Sequence, residues 1–248
     1  MNLVITGYGR MGRLVEKISL ERGHNIIARV DKGGYGDISE LTPEVLEKAD
    51  GVVEFALSKG FEENCRLYAE SGVPAVVGTT GWYDKKDEIE ALFKEKNGSF
   101  LYGSNFSIGA HIFFTLTERA AELIADIPDY DIMVTEYHHK MKQDSPSGTA
   151  ITTGERILKG CPRKTKMQFE KLDRRIEDEE LHIASVRGGH IPGIHRVYMD
   201  SPADTIEVSH SARSRDGFAL GAVMAVEWLH GKKGFFTVDD FIKDFFKL

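Results

Sequence analysis

Short apolar runs alternate with stretches of helical periodicity through the first hundred residues. Residues 3–6 read as a strand, and Leu14, Val15, Ile18 and Leu20 then recur at helical spacing. Further strands are predicted over Asn25–Val30, 51–57, 74–77 and Ser99–Tyr102. Helices are predicted over 43–48, where the signal is weak, and over 60–71 and 85–96. Buried strands alternating with helices imply βαβ units and a parallel sheet covered on both faces.

After Asn105 the pattern changes. Residues 108–127 read as one long helix, 131–137 as a strand and 150–158 as a helix. Between Leu181 and His210, β-rich segments are broken by Gly-Gly, Pro-Gly and Ser-Pro turns, which suggests an α+β unit with an open antiparallel or mixed sheet. Residues 217–229 and 238–246 return to helices whose apolar faces are expected to pack on the first domain. The charged piece 170–180 reads as a solvated loop or helix face.

Composition narrows the classes. A chain of 248 residues with 41% hydrophobic and 29% charged residues is ordinary for a globular protein. Its net charge of -7 argues against nucleic-acid binding, because no basic excess neutralises phosphates. No apolar run approaches the roughly 18 residues needed to span a bilayer, and the first residues lack a signal-peptide pattern. The expected compartment is therefore the cytoplasm, with no membrane partner. Cys65 falls in a predicted helix and Cys161 in a Gly-Cys-Pro turn, which argues against both a disulfide framework and a metal cluster.

Two motifs carry chemistry. Gly7-Tyr-Gly9-Arg10-Met11-Gly12 follows a strand and opens a helix, the context a dinucleotide pyrophosphate requires. Asp31 ends the second strand, roughly 20 residues on, where an acid takes ribose hydroxyls. Lys32 beside it suits the 2′-phosphate of NADPH, so NADH and NADPH are both expected cofactors. Gly78, Thr79 and Thr80 lie at the end of the fourth strand, on the edge that faces the ligand crevice. The second motif is Glu136-Tyr-His138-His139-Lys-Met-Lys142-Gln-Asp-Ser-Pro-Ser147-Gly148-Thr149. Histidines and lysines beside a helix N-terminus make a receptor for a small anion with a proton donor at hand. His195 and His210 are expected to serve the sheet, and Lys140 to be solvated.

Together with S-N-F-S-I-G at 104–109, S-V-R-G-G-H-I-P-G-I-H at 185–195 and S-H-S-A-R-S-R-D-G-F-A-L-G-A from Ser209, these motifs run in one order over nearly the whole chain. The sequence resembles the 4-hydroxy-tetrahydrodipicolinate (dihydrodipicolinate) reductase family. The resemblance implies an α/β protein with a Rossmann-type parallel-sheet domain over 1–107 and 216–248. A second α+β domain over 108–215, with an open mixed sheet, would bind substrate and build a homotetramer. It implies reduction of a cyclic imino dicarboxylate by NADH or NADPH on the diaminopimelate route to lysine. His138 falls on the family's proton donor, and His139, Lys142, Ser147, Gly148 and Thr149 on its substrate site. Gly7, Gly9, Arg10, Met11 and Gly12 fall on the pyrophosphate loop and Asp31 on the ribose acid. Gly78, Thr79, Thr80, Asn105 and Phe106 match the nicotinamide surroundings, and Arg215 an arginine near the domain junction. No resident metal is implied.

The chain departs from the family pattern at Glu54-Phe55-Ala56, where Asp-Phe-Thr or Asp-Phe-Ser is usual, at Ser145 for alanine, and at His190. Two readings compete: an amino-acid dehydrogenase acting on a substrate such as aspartate, and a dinucleotide sensor without chemistry. The intact second-domain motif favours the reductase.

Overall fold

The computed structural model describes residues 1–169 and 171–247. The strands are β1 (Asn2–Thr6), β2 (Asn25–Val30), β3 (Gly51–Glu54), β4 (Ala75–Val77), β5 (Ser99–Tyr102), β6 (Asp131–His138), β7 (Lys166–Gln168), β8 (Glu180–Arg187), β9 (Ile194–Asp200), β10 (Thr205–Ser211) and β11 (Gly234–Thr237). The α-helices are α1 (Arg10–Glu21), α2 (Pro43–Leu46), α3 (Phe61–Ser71), α4 (Lys86–Glu95), α5 (Ile108–Ile124), α6 (Gly148–Gly160), α7 (Asp216–Leu229) and α8 (Val238–Phe246). Two compact units result, one formed by Met1–Ile108 with Arg215–Leu248, the other by Gly109–Ser214.

The first unit holds a six-stranded sheet in the order β11-β5-β4-β3-β1-β2, with every pairing parallel. This is a Rossmann-type arrangement, which places ligands at the carboxyl ends of the strands. Alternate residues feed opposite cores, as the pleat dictates. Val4, Val52, Ala75 and Val77 meet Phe61, Cys65, Tyr68 and Phe93 of α3 and α4. Leu3, Ile5, Val53 and Val76 meet Val15 and Ile18 of α1, Val223 and Val226 of α7, and Phe241 of α8. Leu20, expected on the buried side of α1, is 53% exposed. The predicted third strand ends early: its ladder stops at Glu54, and Leu57 lies in the following exposed loop. β11 was not foreseen, and neither was β7.

The second unit is a mixed sheet in the order β10-β9-β6-β8-β7, in which β6, β8 and β7 run parallel and β9 and β10 antiparallel to them. One face is packed by α5 and α6: Ile132, Val134, Leu181, Ile183, Val197 and Met199 meet Phe113, Phe114 and Ile157. The charged piece 170–180 is not simply a solvated surface. Glu170 lies outside the described residues, while Glu180 is 2% exposed and accepts hydrogen bonds from Arg174 and Lys166. Cys65 and Cys161 are both buried thiols.

Candidate active site

On β6 the in-phase positions read Ile132, Val134, Glu136, His138, so the covered face turns from apolar to polar at the carboxyl end of the strand. Register extends the change sideways. Glu136 sits opposite Ser185 of β8 and His195 of β9, and His138 opposite Arg187. The N-terminus of α6 closes the cluster: Ser147 caps it, its Oγ accepting from Ala150 N at 3.2 Å. The helix starts two residues earlier than its periodicity suggested, so Gly148 and Thr149 belong to its first turn. Their amide groups lie in the first turn and lack intrahelical acceptors, the arrangement that favours negative charge at a helix N-terminus.

Glu136 is fully buried. Its Oε1 accepts from Ser147 N at 2.9 Å, Ser185 Oγ at 2.7 Å and Arg187 Nη2 at 2.8 Å. Its Oε2 faces His138 Nδ1 at 3.0 Å and His195 Nε2 at 3.6 Å. Burial opposes this charge, but the neighbouring His195 ring and the donors Ser147, Arg187 and Ser185 outweigh it and hold the carboxyl well below the usual range. His195 belongs to the sheet as expected, on β9, but its ring also turns toward this carboxylate, which was not foreseen. The signal was available, because it alternates in phase with Val197 and Met199.

His138 is less readily charged than an ordinary imidazole. Burial, which disfavours the charged ring, lowers its pKa from 6.5 to about 4; Glu136 pulls the other way, and His195, Lys142 and Arg187 add to the lowering. The unliganded imidazole is thus neutral near pH 7 and not the charged donor its exposed relatives would be. With Nδ1 turned to Glu136, Nε2 is the ring nitrogen left for a ligand. Gly193 packs beside it, where a Cβ would stand 3.0 Å from that nitrogen.

Lys142 is half-buried and pairs with Asp144 at 2.8 Å, an acid that any carboxylate ligand must displace. His139 follows the strand and donates its backbone N–H to Ile191 O at 2.8 Å. Lys140 is exposed. Glu136, His138 and His195 also offer atoms within 4.8 Å of one another. The Arg187 cation on the same carboxylate opposes a second positive charge there.

In the first unit, Gly7, Gly9, Asp31 and Lys32 line a cavity of about 510 Å³ with Val30, Leu41, Lys59 and Leu67. Gly7 has φ +88°, and a Cβ there would strike Phe55 O at 2.4 Å, so the turn requires glycine. A Cβ on Gly9 would meet nothing within 4 Å, which leaves that backbone open to a ligand. Gly12 lets α1 approach the Gly7 carbonyl. Arg10 is exposed and Met11 packs at the edge of the core. The Asp31 carboxylate accepts from Tyr8 N and Gly33 N, both at 2.8 Å, which fixes it at the cavity wall.

Other expected cofactor residues lie elsewhere in this unit. Gly78, Thr79 and Thr80 follow β4, and Asn105 and Phe106 follow β5, the paired neighbour of β4. Thr79 spends its hydroxyl on Ala56 N and O at 3.1 Å. Gly78 is required by Phe55, whose ring a Cβ would strike at 2.1 Å. Phe106 is a core residue at 2% exposure, with its ring edge-on to Phe55. Asn105 Oδ1 accepts from Ser107 N at 2.9 Å. Arg215 is exposed at the start of α7.

A parallel Rossmann-type sheet with a glycine turn and an anchored acid at its cavity, in a chain that also carries a mixed sheet with a buried Glu-His cluster, fits the class of dinucleotide-dependent reductases. Family models agree: that for the N-terminus of dihydrodipicolinate reductase matches residues 1–106, and that for its C-terminus residues 109–242. The chain belongs to the dihydrodipicolinate reductase family. The 4-hydroxy-tetrahydrodipicolinate reductase of Christiangramia forsetii is 39% identical over 247 residues, covering 100% of both chains. That of Archaeoglobus fulgidus is 34% identical, over 98% of this chain and 100% of its own. In fold, the chain is similar to a dipicolinate-bound dihydrodipicolinate reductase from Paenisporosarcina sp. TG-14, with TM-score 0.73, 23% identity, and coverage of 97% and 99%.

Proposed function

We propose that this chain reduces 4-hydroxy-tetrahydrodipicolinate to tetrahydrodipicolinate, on the diaminopimelate route to lysine, with NADH or NADPH as reductant. The observation that carries the reading is the convergence of His138, Glu136 and the α6 N-terminus in a chain of this family. In this reading residues 1–107 and 216–248 bind the dinucleotide and residues 108–215 the substrate. The open glycine turn, the free first-turn amides of α1 and the anchored Asp31 fit such a cofactor. Lys32, exposed on the cavity wall, leaves room for either nucleotide. The second sheet's face opposite its helices carries Met133 and Val186 at 40% and 47% exposure, a surface suited to the further copies of a homotetramer.

Over the whole reaction the ring loses its hydroxyl and an adjacent ring proton as water, then gains a hydride on one carbon and a proton on the neighbouring carbon. The reduced dinucleotide, when bound, supplies the hydride. Lys142, His139 and the amides of Gly148 and Thr149 hold a ring carboxylate and fix the face presented to it. His138 gives the proton from Nε2, after the arriving dianion and Glu136 together favour the charged ring.

An NAD(P)H oxidation assay coupled to the synthase that makes the substrate, run with each cofactor, tests the activity. Pyridine-2,6-dicarboxylate should inhibit as a flat ring analogue. His138→Gln should depress turnover at least a hundredfold while cofactor binding is kept. Near-normal turnover in that variant would exclude His138 as the proton source.

A further inference from the structure

We propose that Glu136 and His195 are opposed positioning residues behind the proton donor: Glu136 carries the charge on which the His138 imidazolium forms, and His195 competes for the same carboxylate oxygen. The inference rests on His138 being the proton source.

The geometry divides the two oxygens of Glu136 by task. Oε1 is filled by three donors, the Ser147 amide, the Ser185 hydroxyl and the Arg187 guanidinium. These anchor the carboxylate to α6 and β8. Among the described residues the groups facing Oε2 that can donate are two imidazoles, His138 at 3.0 Å and His195 at 3.6 Å. The rings stand edge to face, with centroids 5.1 Å apart. Oε2 makes no hydrogen bond of good geometry here, and because a buried carboxylate oxygen without a donor is costly, it favours whichever imidazole turns an N–H to it. Two full cations on one oxygen repel, and so the protonation of either ring opposes that of the other.

His195 also has an alternative partner. Its Nε2 lies 3.1 Å from Ser147 Oγ, so the ring can withdraw to the helix cap when His138 takes the carboxylate. Other charged or titratable groups around the pair are few. Lys142 lies on the loop after β6 with Asp144 paired to it, Arg187 on β8, and His210 on β10 with its ring 6.5 Å from His195. Phe113 of α5 closes the far side of His195 and His210. Lys142 and Arg187 are fixed cations that both disfavour a charged His138, so Glu136 is the only anion in direct contact with that ring among the described residues.

The opposition gives a test with signs. Turnover requires charged His138, so it falls as pH rises through the alkaline limb of kcat. Glu136→Gln removes the favourable charge and should move that limb down by about one pH unit or more, with turnover at pH 7.5 lowered at least tenfold. His195→Gln keeps a donor near Ser147 but removes the competing cation, and should move the limb upward. NADH affinity, read by cofactor fluorescence, should be unchanged in both. A merely structural role would not give shifts of opposite sign. If Glu136→Gln does not fold, Glu136→Asp serves: the shorter acid withdraws from His138 and should also lower the limb. Wild-type profiles in both variants, or shifts in the same direction, overturn the inference while leaving the donor assignment intact provided His138→Gln is inactive. An active His138→Gln overturns both.

Discussion

Replacing Glu54 with glutamine should stabilise the nucleotide-binding unit, and more so as pH rises. Glu54 ends β3 with no exposed surface and no cationic partner among the described residues. Its Oε2 accepts from Tyr68 Oη at 2.6 Å and its Oε1 lies 3.4 Å from Asn64 Nδ2. Burial pushes the carboxyl up to about 7 from an ordinary 4.5, against hydrogen bonds from Tyr68, Asn64 and Thr79. Below pH 4.5 the acid is protonated in both folded and unfolded chains and carries no penalty. Between pH 4.5 and about 7 the unfolded chain releases the proton while the folded one retains it. Each pH unit there removes about 1.4 kcal/mol of stability, and the loss reaches about 3 kcal/mol above pH 7. Glutamine keeps the shape and an acceptor for Tyr68 without the proton. The stability difference between Glu54→Gln and wild type should therefore grow by roughly 2 to 3 kcal/mol between pH 5 and pH 8. Urea unfolding followed by tryptophan fluorescence reads this directly, because Trp82 and Trp228 both belong to the first unit. A difference that stays constant within about 0.5 kcal/mol across that range would refute the buried neutral acid.

Lys142→Ala should raise KM for the ring diacid by about 10- to 100-fold and slow turnover, with NADH affinity nearly unchanged in a fluorescence titration. Ser147→Ala removes the α6 cap and should cost about 1 kcal/mol, seen as faster hydrogen exchange in the first turn of that helix. Gly78→Ala must displace the Phe55 ring, which lines the nucleotide cavity. It should destabilise the first unit by about 1–3 kcal/mol and weaken NADH binding, measured by urea unfolding and titration.

The strands of the first unit were legible because their apolar runs are continuous and their flanking helices strongly periodic. β2 and β5 match their sequence patterns end to end. β11 escaped because four residues after Gly-Lys-Lys carry too little pattern to separate from a loop, and only the free edge of β5 makes them a strand. The anion-binding end of the second unit was readable as a motif, since residues 138–149 are contiguous. His195 and Arg187 were not, because they join the cluster through strand register, a property of the sheet rather than of either segment. The protonation state of His138 lay further out of reach. It depends on how completely β8, β9 and the loop through Gly193 enclose the ring.

The nucleotide-binding unit is assembled from both ends of the chain, with residues 109–214 intervening. Leu3, Ile5, Val53, Val76 and Leu101 find their cover largely on α7 and α8, and β5 gains its outer neighbour only from β11. Synthesis runs from the N-terminus, so the glycine turn leaves the ribosome long before the segment that buries the sheet behind it. During that interval much of one side of the nascent sheet is covered by α1 alone, and the middle domain can settle first. Maturation of the cofactor site therefore waits on the arrival of α7, β11 and α8, which makes that returning segment an assembly checkpoint for the unit.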